Sequence, residues 1–357
     1  MTHRSSAKYT IALVGGLLAT PVLAQSYPTI RNDKPAAATL SHWTDEAMAA
    51  AKPMDLPLAG TGHRMSAAAV PAAPGAPGAA GGTEHVPLPQ SALDELTYGV
   101  PQPADGSYPG PHTTFGRYPG SANVPYLNFP YAAVGRLFFT EPGVGDFVCS
   151  ASATYGGSAL NIVWTAGHCV ANGGHQQFYT NWMYCPGYKN GVNVNLGCWA
   201  WTAAGTTGGW FNQGAFTRDE AVVAMQHTGT VLAEDVVSAT GGFGFAWNWS
   251  RDQNWVHYGY PTAAPYDGAY QIVTNTEHRY DDAPDAVGPP ANSFGSPQTP
   301  GSSGSPVLLF WSQSGGYINS NISYYYGPQL GHELQGPYYD TNTCGFWKSW
   351  TGYSGTC

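Results

Sequence analysis

The stretch Thr165-Ala166-Gly167-His168-Cys169 decides the fold, together with a later stretch, Pro300-Gly301-Ser302-Ser303-Gly304-Ser305-Pro306. The apolar residues 160–164 lead into the first stretch and predict a buried strand that ends by presenting one imidazole. The second stretch places a serine between glycines, and because glycine lacks a Cβ, another molecule can approach the backbone of such a turn closely. Two separated stretches of this kind indicate a site built from distant parts of the chain.

A serine hydroxyl is a weak nucleophile at neutral pH, so it needs a base that takes its proton as it attacks a carbonyl carbon. We predict that His168 is this base and that Ser303 is the nucleophile. Gly301, two residues earlier, can turn its N–H inward beside that of Ser303, and two converging amide donors form an oxyanion hole. Ser302 and Ser305 are the rival nucleophiles, but neither has glycine both two residues before it and directly after it.

A carboxylate must orient the histidine and stabilise its positive charge. Asp219 is the first acidic residue after His168, and it leads directly into an apolar run at residues 221–225. Such a position suits a carboxylate held in a fixed, partly dry site. We therefore predict Asp219 as the third catalytic residue, with Asp235 as the alternative.

The composition is typical of an all-β protein with many turns. The 357 residues include 46 Gly, 29 Pro, 23 Tyr and 12 Trp, which favour turns and aromatic-rich strands over helices. The formal net charge is −9 and only 10% of the residues are charged. A chain with this balance has no basic surface for nucleic acid or for an anionic membrane.

Short apolar or alternating runs separated by Gly, Pro and Asn follow from residue 126 onward, without a long amphipathic helix. They predict strands at residues 134–140, 147–153, 159–165, 221–225, 231–237, 255–260, 269–274, 306–311 and 317–326. The histidine and serine stretches lie far apart along this series. The pattern therefore fits two packed barrels that share a cleft.

Residues 1–24 predict a secretory signal peptide. His3, Arg4 and Lys8 form a basic start, residues 9–20 are an apolar run too short to span a bilayer, and residues 22–24 fit a cleavage site. A short N-terminal anchor is the alternative. No later stretch is long and apolar enough to cross a membrane, so we expect a secreted protein without membrane contact after signal removal.

Residues 25–120, called the leader below, differ in composition from the rest. Stretches rich in Ala and Pro, such as residues 71–78, have no pattern that could bury a core. Two short helices are predicted, one capped by Thr44 and running to Ala51, the other capped by Ser91 and running to Leu96. We interpret the leader as a low-complexity propeptide, with a flexible stalk as the alternative, and residues 121–357 as the catalytic domain.

Six cysteines in an exported chain are expected to form disulfides. The spacing favours three pairs, of which the first would clamp the loop of the histidine base: Cys149–Cys169, Cys185–Cys198 and Cys344–Cys357. The alternative is a metal site, but the chain lacks any Cys-x-x-Cys or paired Cys/His spacing. We therefore predict neither a metal nor a cofactor.

The two catalytic stretches and their order resemble the trypsin-like serine peptidases of the chymotrypsin fold, in particular the secreted microbial branch that includes the glutamyl endopeptidases. Residues 165–169 resemble the histidine motif and residues 301–306 the serine motif, while Gly259-Tyr260-Pro261 resembles a mid-chain element of many microbial members. The resemblance covers roughly residues 126–340. It implies two packed antiparallel six-stranded β-barrels with the active site between them, and a secreted endopeptidase, made as a zymogen, that acts on proteins or peptides. We expect a monomer.

Three positions depart from known patterns in that family. Animal trypsins place an aspartate directly before the nucleophile, where this chain has Ser302, so removal of the leader cannot activate the site through that ion pair. Pro297 replaces the acid at the base of a trypsin pocket. Ile322 stands where the glutamyl endopeptidases use a histidine, so neither a basic nor an acidic side-chain preference is supported.

The resemblance also assigns substrate-binding residues. Gln298 lies beside the base of the specificity pocket. Ser323 and Tyr324 are expected to offer backbone groups to an extended substrate, and Tyr325 to narrow the pocket. Together these residues favour a small or apolar side chain at the cleavage site.

Two other functional interpretations compete with a serine endopeptidase. An α/β-hydrolase esterase needs Gly-x-Ser-x-Gly followed by an acid and then a histidine. Position 305 is serine instead, and no acid lies between Ser303 and His332. The second alternative is a pseudo-protease that binds proteins or glycans with a catalytically idle cleft.

Overall fold

The computed structural model describes residues 27–59, 64–65, 75–83, 115–119, 126–226, 235–312, 315–327 and 333–357. The predicted signal peptide at residues 1–24 and the predicted helix capped by Ser91 lie outside these residues. Among the described residues, no helix combines the length and the apolar character needed to cross a bilayer.

The described part of the leader contains two helices and six strands. The helices are α1 (Ala36–His42) and α2 (Asp45–Ala50), and the strands are β1 (Thr29–Arg31), β2 (Lys52–Pro53), β3 (Pro57–Ala59), β4 (Arg64–Met65), β5 (Gly78–Thr83) and β6 (Phe115–Pro119). Thr44 caps α2 as predicted, because its hydroxyl accepts a hydrogen bond from the Ala47 N–H at 3.2 Å.

The first barrel follows the leader. Its strands are β7 (Val134–Glu141), β8 (Gly145–Ala153), β9 (Ile162–Thr165), β10 (Ala171–Asn172), β11 (Gln177–Phe178), β12 (Thr180–Pro186), β13 (Trp199–Thr206) and β14 (Ala221–Gln226), and helix α3 (Gly208–Gln213) follows β13. Six of them pair in the order β13-β12-β7-β8-β9-β14, and β14 returns to β13, so the antiparallel sheet closes. Strands β10 and β11 form a separate short hairpin.

The second barrel contains helix α4 (Val236–Thr240) and strands β15 (Gly242–Trp247), β16 (Asn254–Gly259), β17 (Ile272–Asp282), β18 (Ala291–Gly295), β19 (Pro306–Ser312), β20 (Gly315–Asn321), β21 (Tyr325–Gly327) and β22 (Glu333–Gly336). Six strands follow the order β20-β19-β16-β17-β18-β22. The chain beyond β20 rejoins β22 where Tyr324 pairs with Gln335, which closes this antiparallel ring as well. Helix α5 (Thr341–Thr351) ends the fold, and the predicted all-β, two-barrel architecture is confirmed.

The leader departs from its predicted low-complexity character. Strands β1 and β2 pair with the first barrel, and β4, β5 and β6 pair with the second. Strand β5 consists almost entirely of Gly and Ala, and its Gly82 N–H donates to the Tyr155 carbonyl oxygen at 2.7 Å. Small residues allow this close backbone approach, so hydrogen bonds hold a segment that has no apolar pattern.

A strand predicted at residues 231–237 is wrong where the structure describes it. Residues 236–240 instead form α4 behind its cap Asp235, whose carboxylate accepts from the Ser238 N–H at 2.8 Å. An N-cap outweighs the β preference of two consecutive valines in so short a segment.

Candidate active site

His168 lies in a short 3₁₀ turn directly after β9. The turn, Gly167–Cys169, is buried, and the Cys149–Cys169 disulfide ties it to β8. A Cβ on Gly167 would meet the Trp210 ring at 2.7 Å and an Asp219 carboxylate oxygen at 2.8 Å. Only glycine therefore allows the turn to pack this closely against its neighbours.

The imidazole of His168 is held by a fully buried aspartate. The Asp219 Oδ2 atom lies 2.7 Å from His168 Nδ1, and Oδ1 accepts from the His168 backbone N–H at 2.7 Å. The Ser323 hydroxyl also donates to Oδ2, and the Asn321 side-chain amide donates to the Asp219 carbonyl oxygen at 3.1 Å. These contacts fix the ring so that Nδ1 faces the carboxylate, which leaves Nε2 for other chemistry.

Ser303 sits in a tight turn attached to the first barrel. Gly304 has a φ of +81°, and a Cβ there would collide with the Thr165 hydroxyl and the Ser150 carbonyl oxygen. The Ser150 N–H donates to the Ser303 carbonyl oxygen at 2.8 Å. The serine turn therefore packs against β8 and β9, the two strands that precede the histidine turn. Strand β8 also carries Cys149, the disulfide partner of Cys169.

The structure joins His168 to Asp219 but does not hydrogen-bond His168 to Ser303. The buried Nε2 atom of His168 has no hydrogen-bond partner among the described residues. Hydrogen bonds between a base and a nucleophile are often long before a substrate binds. Among the described residues, no donor therefore occupies the Nε2 atom of His168, and this nitrogen can accept a proton.

The predicted oxyanion donor faces the leader. Gly301 has a φ of +100°, which only glycine adopts readily, and its N–H points to the Met54 carbonyl oxygen at 3.4 Å. Its own carbonyl oxygen accepts from the Ser150 hydroxyl at 3.0 Å. The N–H of Gly301 therefore faces a carbonyl oxygen of the leader.

In the segment after β20, the two predicted backbone positions bond within the barrel. The N–H groups of Ser323 and Tyr324 donate to the Gln335 carbonyl oxygen at 2.9 and 3.3 Å, so they serve barrel closure. The Tyr325 N–H donates to the Leu56 carbonyl oxygen at 3.4 Å. Tyr325, which was predicted to narrow the pocket, is therefore the residue whose backbone bonds to an extended segment.

Gln298 was predicted to contact substrate, but its side chain is fully buried. The amide nitrogen donates to the Ile272 carbonyl oxygen at 2.9 Å and to the Thr274 hydroxyl at 3.2 Å, both on β17. A long amide side chain satisfies two strand acceptors there, so Gln298 packs inside the second barrel and does not line an open pocket.

The alternative catalytic residues have other contacts. Asp235 caps α4. The Ser302 hydroxyl donates to the Thr299 carbonyl oxygen at 2.8 Å, and that of Ser305 is buried without a hydrogen-bond partner among the described residues. None of these residues contacts the histidine–aspartate pair through a hydrogen bond that the structure records.

All six cysteines are paired, in the three bridges that the spacing favours: Cys149–Cys169, Cys185–Cys198 and Cys344–Cys357. Within the described ranges, one group of potential metal ligands is close enough to share an ion, namely Cys149, His168 and Cys169. Both sulfurs are oxidised in a disulfide, so this group cannot act as a thiolate site.

A second buried acid follows Asp219 directly. Burial raises the pKa of Glu220 to about 8, and the nearby Arg218 guanidinium opposes this shift. Arg218 forms a two-bonded ion pair with Asp340, at 2.9 and 2.6 Å. Burial by itself would raise the pKa of Asp340, but the hydrogen bonds and charge of Arg218 lower it.

No protein-family model matches the sequence, and no curated protein matches it either. Solved structures do match this chain. A thermostable serine protease, AL20, from an extremophilic microorganism is 30% identical over 63% of this chain and 97% of its own, with a TM-score of 0.52. The protease Anisep from Arthrobacter nicotinovorans is 27% identical over 62% of this chain and 97% of its own, with a TM-score of 0.54. From this likeness and from the two closed barrels, the chain belongs to the serine proteases of the chymotrypsin fold.

Proposed function

We propose that this chain is a secreted serine endopeptidase that hydrolyses peptide bonds through Ser303, His168 and Asp219. The observation that carries the proposal is the buried His168–Asp219 pair, 2.7 Å apart, whose remaining ring nitrogen is unpaired among the described residues. The glycine turn that bears Ser303 packs against the strand leading to that histidine. Kinship with serine proteases supports the same reaction class.

In this mechanism, the Ser303 hydroxyl oxygen attacks the substrate carbonyl carbon while His168 Nε2 takes the hydroxyl proton. Asp219 stabilises the resulting imidazolium through Nδ1, and the N–H groups of Gly301 and Ser303 stabilise the oxyanion. The imidazolium then gives its proton to the leaving amine, which leaves an acyl-enzyme. Water, deprotonated by His168, attacks the ester carbon and releases the acid and Ser303.

The serine assignment is tested by replacing Ser303 with Ala. We expect loss of peptide hydrolysis and of stoichiometric labelling by a fluorophosphonate, with an unchanged unfolding midpoint. Ser305→Ala is the matched control, because it removes a rival hydroxyl from the same turn and should retain both activities. Hydrolysis that persists in the Ser303→Ala chain would overturn the assignment.

The catalytically idle pseudo-protease is the second candidate. The observation that favours it is the missing hydrogen bond between Ser303 and His168. The labelling experiment separates the two functions. An idle cleft predicts no fluorophosphonate adduct in the wild-type chain after the leader has been removed, whereas the endopeptidase predicts one adduct per chain.

The pocket next to the site is proposed to accept a small or apolar side chain. Ile322 is buried among apolar residues of the second barrel, including Phe294 and Leu334, and offers no charge to an acidic or basic side chain. Digestion of a peptide library, followed by sequencing of the cut sites, tests this preference. Enrichment of Glu, Lys or Arg before the cut would contradict it.

Export and processing complete the proposal. Residues 1–24 are removed as a signal peptide, residues 25–120 act as a propeptide, and residues 121–357 remain as the catalytic domain. Three disulfides support an oxidising compartment. N-terminal sequencing of the intracellular, exported and active forms tests both boundaries.

A further inference from the structure

The leader crosses the candidate active site between Lys52 and Ala59. On one side, β2 pairs in parallel with β8, and the Met54 N–H donates to the Val148 carbonyl oxygen at 2.9 Å. On the other side, β3 pairs in parallel with β21, so that Tyr325 lies opposite Pro57. One extended segment therefore links an edge of the first barrel to an edge of the second.

Met54 makes the contact closest to the chemistry. Its carbonyl oxygen accepts the N–H of Gly301 at 3.4 Å, the donor assigned above to the oxyanion hole. A substrate carbonyl oxygen needs that same donor for the reaction to proceed. The leader and a productively bound substrate therefore exclude one another.

Side chains of the segment alternate as in a docked strand. Leu56 and Leu58 are half-buried and pack against the cluster of Ala291, Tyr324 and Tyr326, whereas Pro57 and Ala59 are exposed. The carboxylate of Asp55 accepts the Tyr325 hydroxyl at 2.9 Å. Main-chain pairing combined with alternating side-chain contacts is how an extended peptide binds a sheet edge.

The chain direction of residues 52–59 in the cleft distinguishes an inhibitory segment from a substrate. Both ladders are parallel, although antiparallel pairing is the more stable arrangement for each residue. A substrate that formed antiparallel ladders with the same two edges would run the opposite way. We propose that residues 52–59 are an inhibitory segment that fills the cleft in the direction opposite to a substrate, blocking the site without being cut there.

The inference rests on the proposed endopeptidase function and is tested in the full chain. The double variant Leu56→Asp/Leu58→Asp places two carboxylates against the tyrosine cluster, which already surrounds the buried Asp282. We expect its fluorophosphonate labelling rate at Ser303 to rise at least about tenfold, since the loss of even one of the two leucine contacts weakens docking by roughly that factor. The matched control is Ala37→Asp/Ala38→Asp, which adds the same charge on the exposed first turn of α1 and should label at the wild-type rate.

Hydrogen exchange at residues 325–327 measures cleft occupancy without any catalysis. The Leu56→Asp/Leu58→Asp chain should lose amide protection there, and retained protection together with an unchanged labelling rate would overturn the proposal. Lost protection without labelling in any chain would support the occupied cleft and count against the proposed endopeptidase function. A cut between Met54 and Asp55, seen by intact mass in the wild type but not in Ser303→Ala, would show a substrate-like direction and overturn the inhibitory one.

Discussion

Asp219 accepts two hydrogen bonds from His168 and one from the Ser323 hydroxyl, while its own carbonyl oxygen accepts from Asn321. A buried carboxylate is costly unless its lone pairs are satisfied, and here every described partner comes from one of two elements. One is the histidine turn, and the other is the end of β20 at Asn321 together with Ser323, two residues beyond it. The aspartate therefore depends on both barrels for its orientation.

Replacement of Asp219 by Asn should lower kcat by about 10⁴-fold, because an amide N–H in place of the acceptor favours the wrong imidazole tautomer. Steady-state kinetics with a peptide ester measure the effect, and a urea unfolding curve checks the fold. Asp235→Asn, the rival carboxylate, should leave kcat unchanged. A drop of less than about tenfold in Asp219→Asn would remove Asp219 from the mechanism.

Glu220 gives the protein a pH-dependent stability. Because burial raises its pKa to about 8, the folded chain binds a proton that the unfolded chain releases near pH 4.5. Its contribution to the free energy of unfolding therefore falls as the pH rises from 4.5 to 8. Glu220→Gln should flatten this slope in urea titrations, whereas the exposed Glu277→Gln should not. Equal slopes in wild type and Glu220→Gln would contradict the shift.

The sequence predicted which residue types the site needs but not all of its contacts. His168, Asp219 and Ser303 stand out because glycine turns and buried strands flank them. The Ser323 hydroxyl on Asp219 was missed, since a serine after an apolar run carries no sign of a partner 104 residues away. The role of Gln298 was predicted wrongly for a related reason. The sequence shows which residues flank Gln298, but it does not show that the side chain reaches acceptors on β17.

Several observed elements were not predicted, among them strands β12, β13, β18 and β22 and helix α5. The β-rich pattern predicted β9, β14, β16 and β19 because alternating or continuous apolar runs mark buried strands. It missed α5, where Asp340 accepts from the N–H groups of Asn342 and Thr343, each at 3.0 Å. A single capping aspartate is a weak signal in a sequence with many Asp and Gly turns.

Asp340 combines a helix cap with a buried ion pair, so its loss should cost more than the loss of a cap alone. Asp340→Ala should lower the free energy of unfolding by about 3 to 5 kcal/mol, because it leaves Arg218 buried and uncompensated. Asp235→Ala, which removes only the cap of α4, should cost about 1 kcal/mol. Urea unfolding measures both, and equal losses would contradict the role of the ion pair. Since the pKa of Asp340 is lowered, this contribution is lost on acidification.

At the scale of the whole molecule, the leader is docked on the barrels by apolar contacts as well as by strands. Trp43, Met48 and Ala51 are buried against Phe138 and its neighbours on the first barrel. The Trp43 indole N–H donates to the Asn181 carbonyl oxygen at 2.6 Å. The aromatic anchor was not predicted, because one tryptophan within a stretch rich in Ala gives no periodic pattern.

Trp43→Ala should weaken leader docking by about 3 to 5 kcal/mol, the usual cost of truncating a buried tryptophan. Hydrogen exchange of β1 and β2 in the full chain measures this as lost amide protection. His42→Ala is the control, because its contact with Asp146 is half-exposed and should contribute less than about 1 kcal/mol. Equal protection in the two variants would show that the strands alone hold the leader.

Because leader strands belong to both sheets, a single cut in the leader does not by itself release its pieces. Each fragment keeps its main-chain hydrogen bonds to a barrel and loses only the high effective concentration that the covalent link had provided. Appearance of activity should therefore lag behind bond breakage, and dilution or destruction of the fragments should shorten the lag. If residues 25–120 act as the proposed propeptide, maturation is a dissociation step whose duration is set by how long the cut peptide stays bound to the barrels.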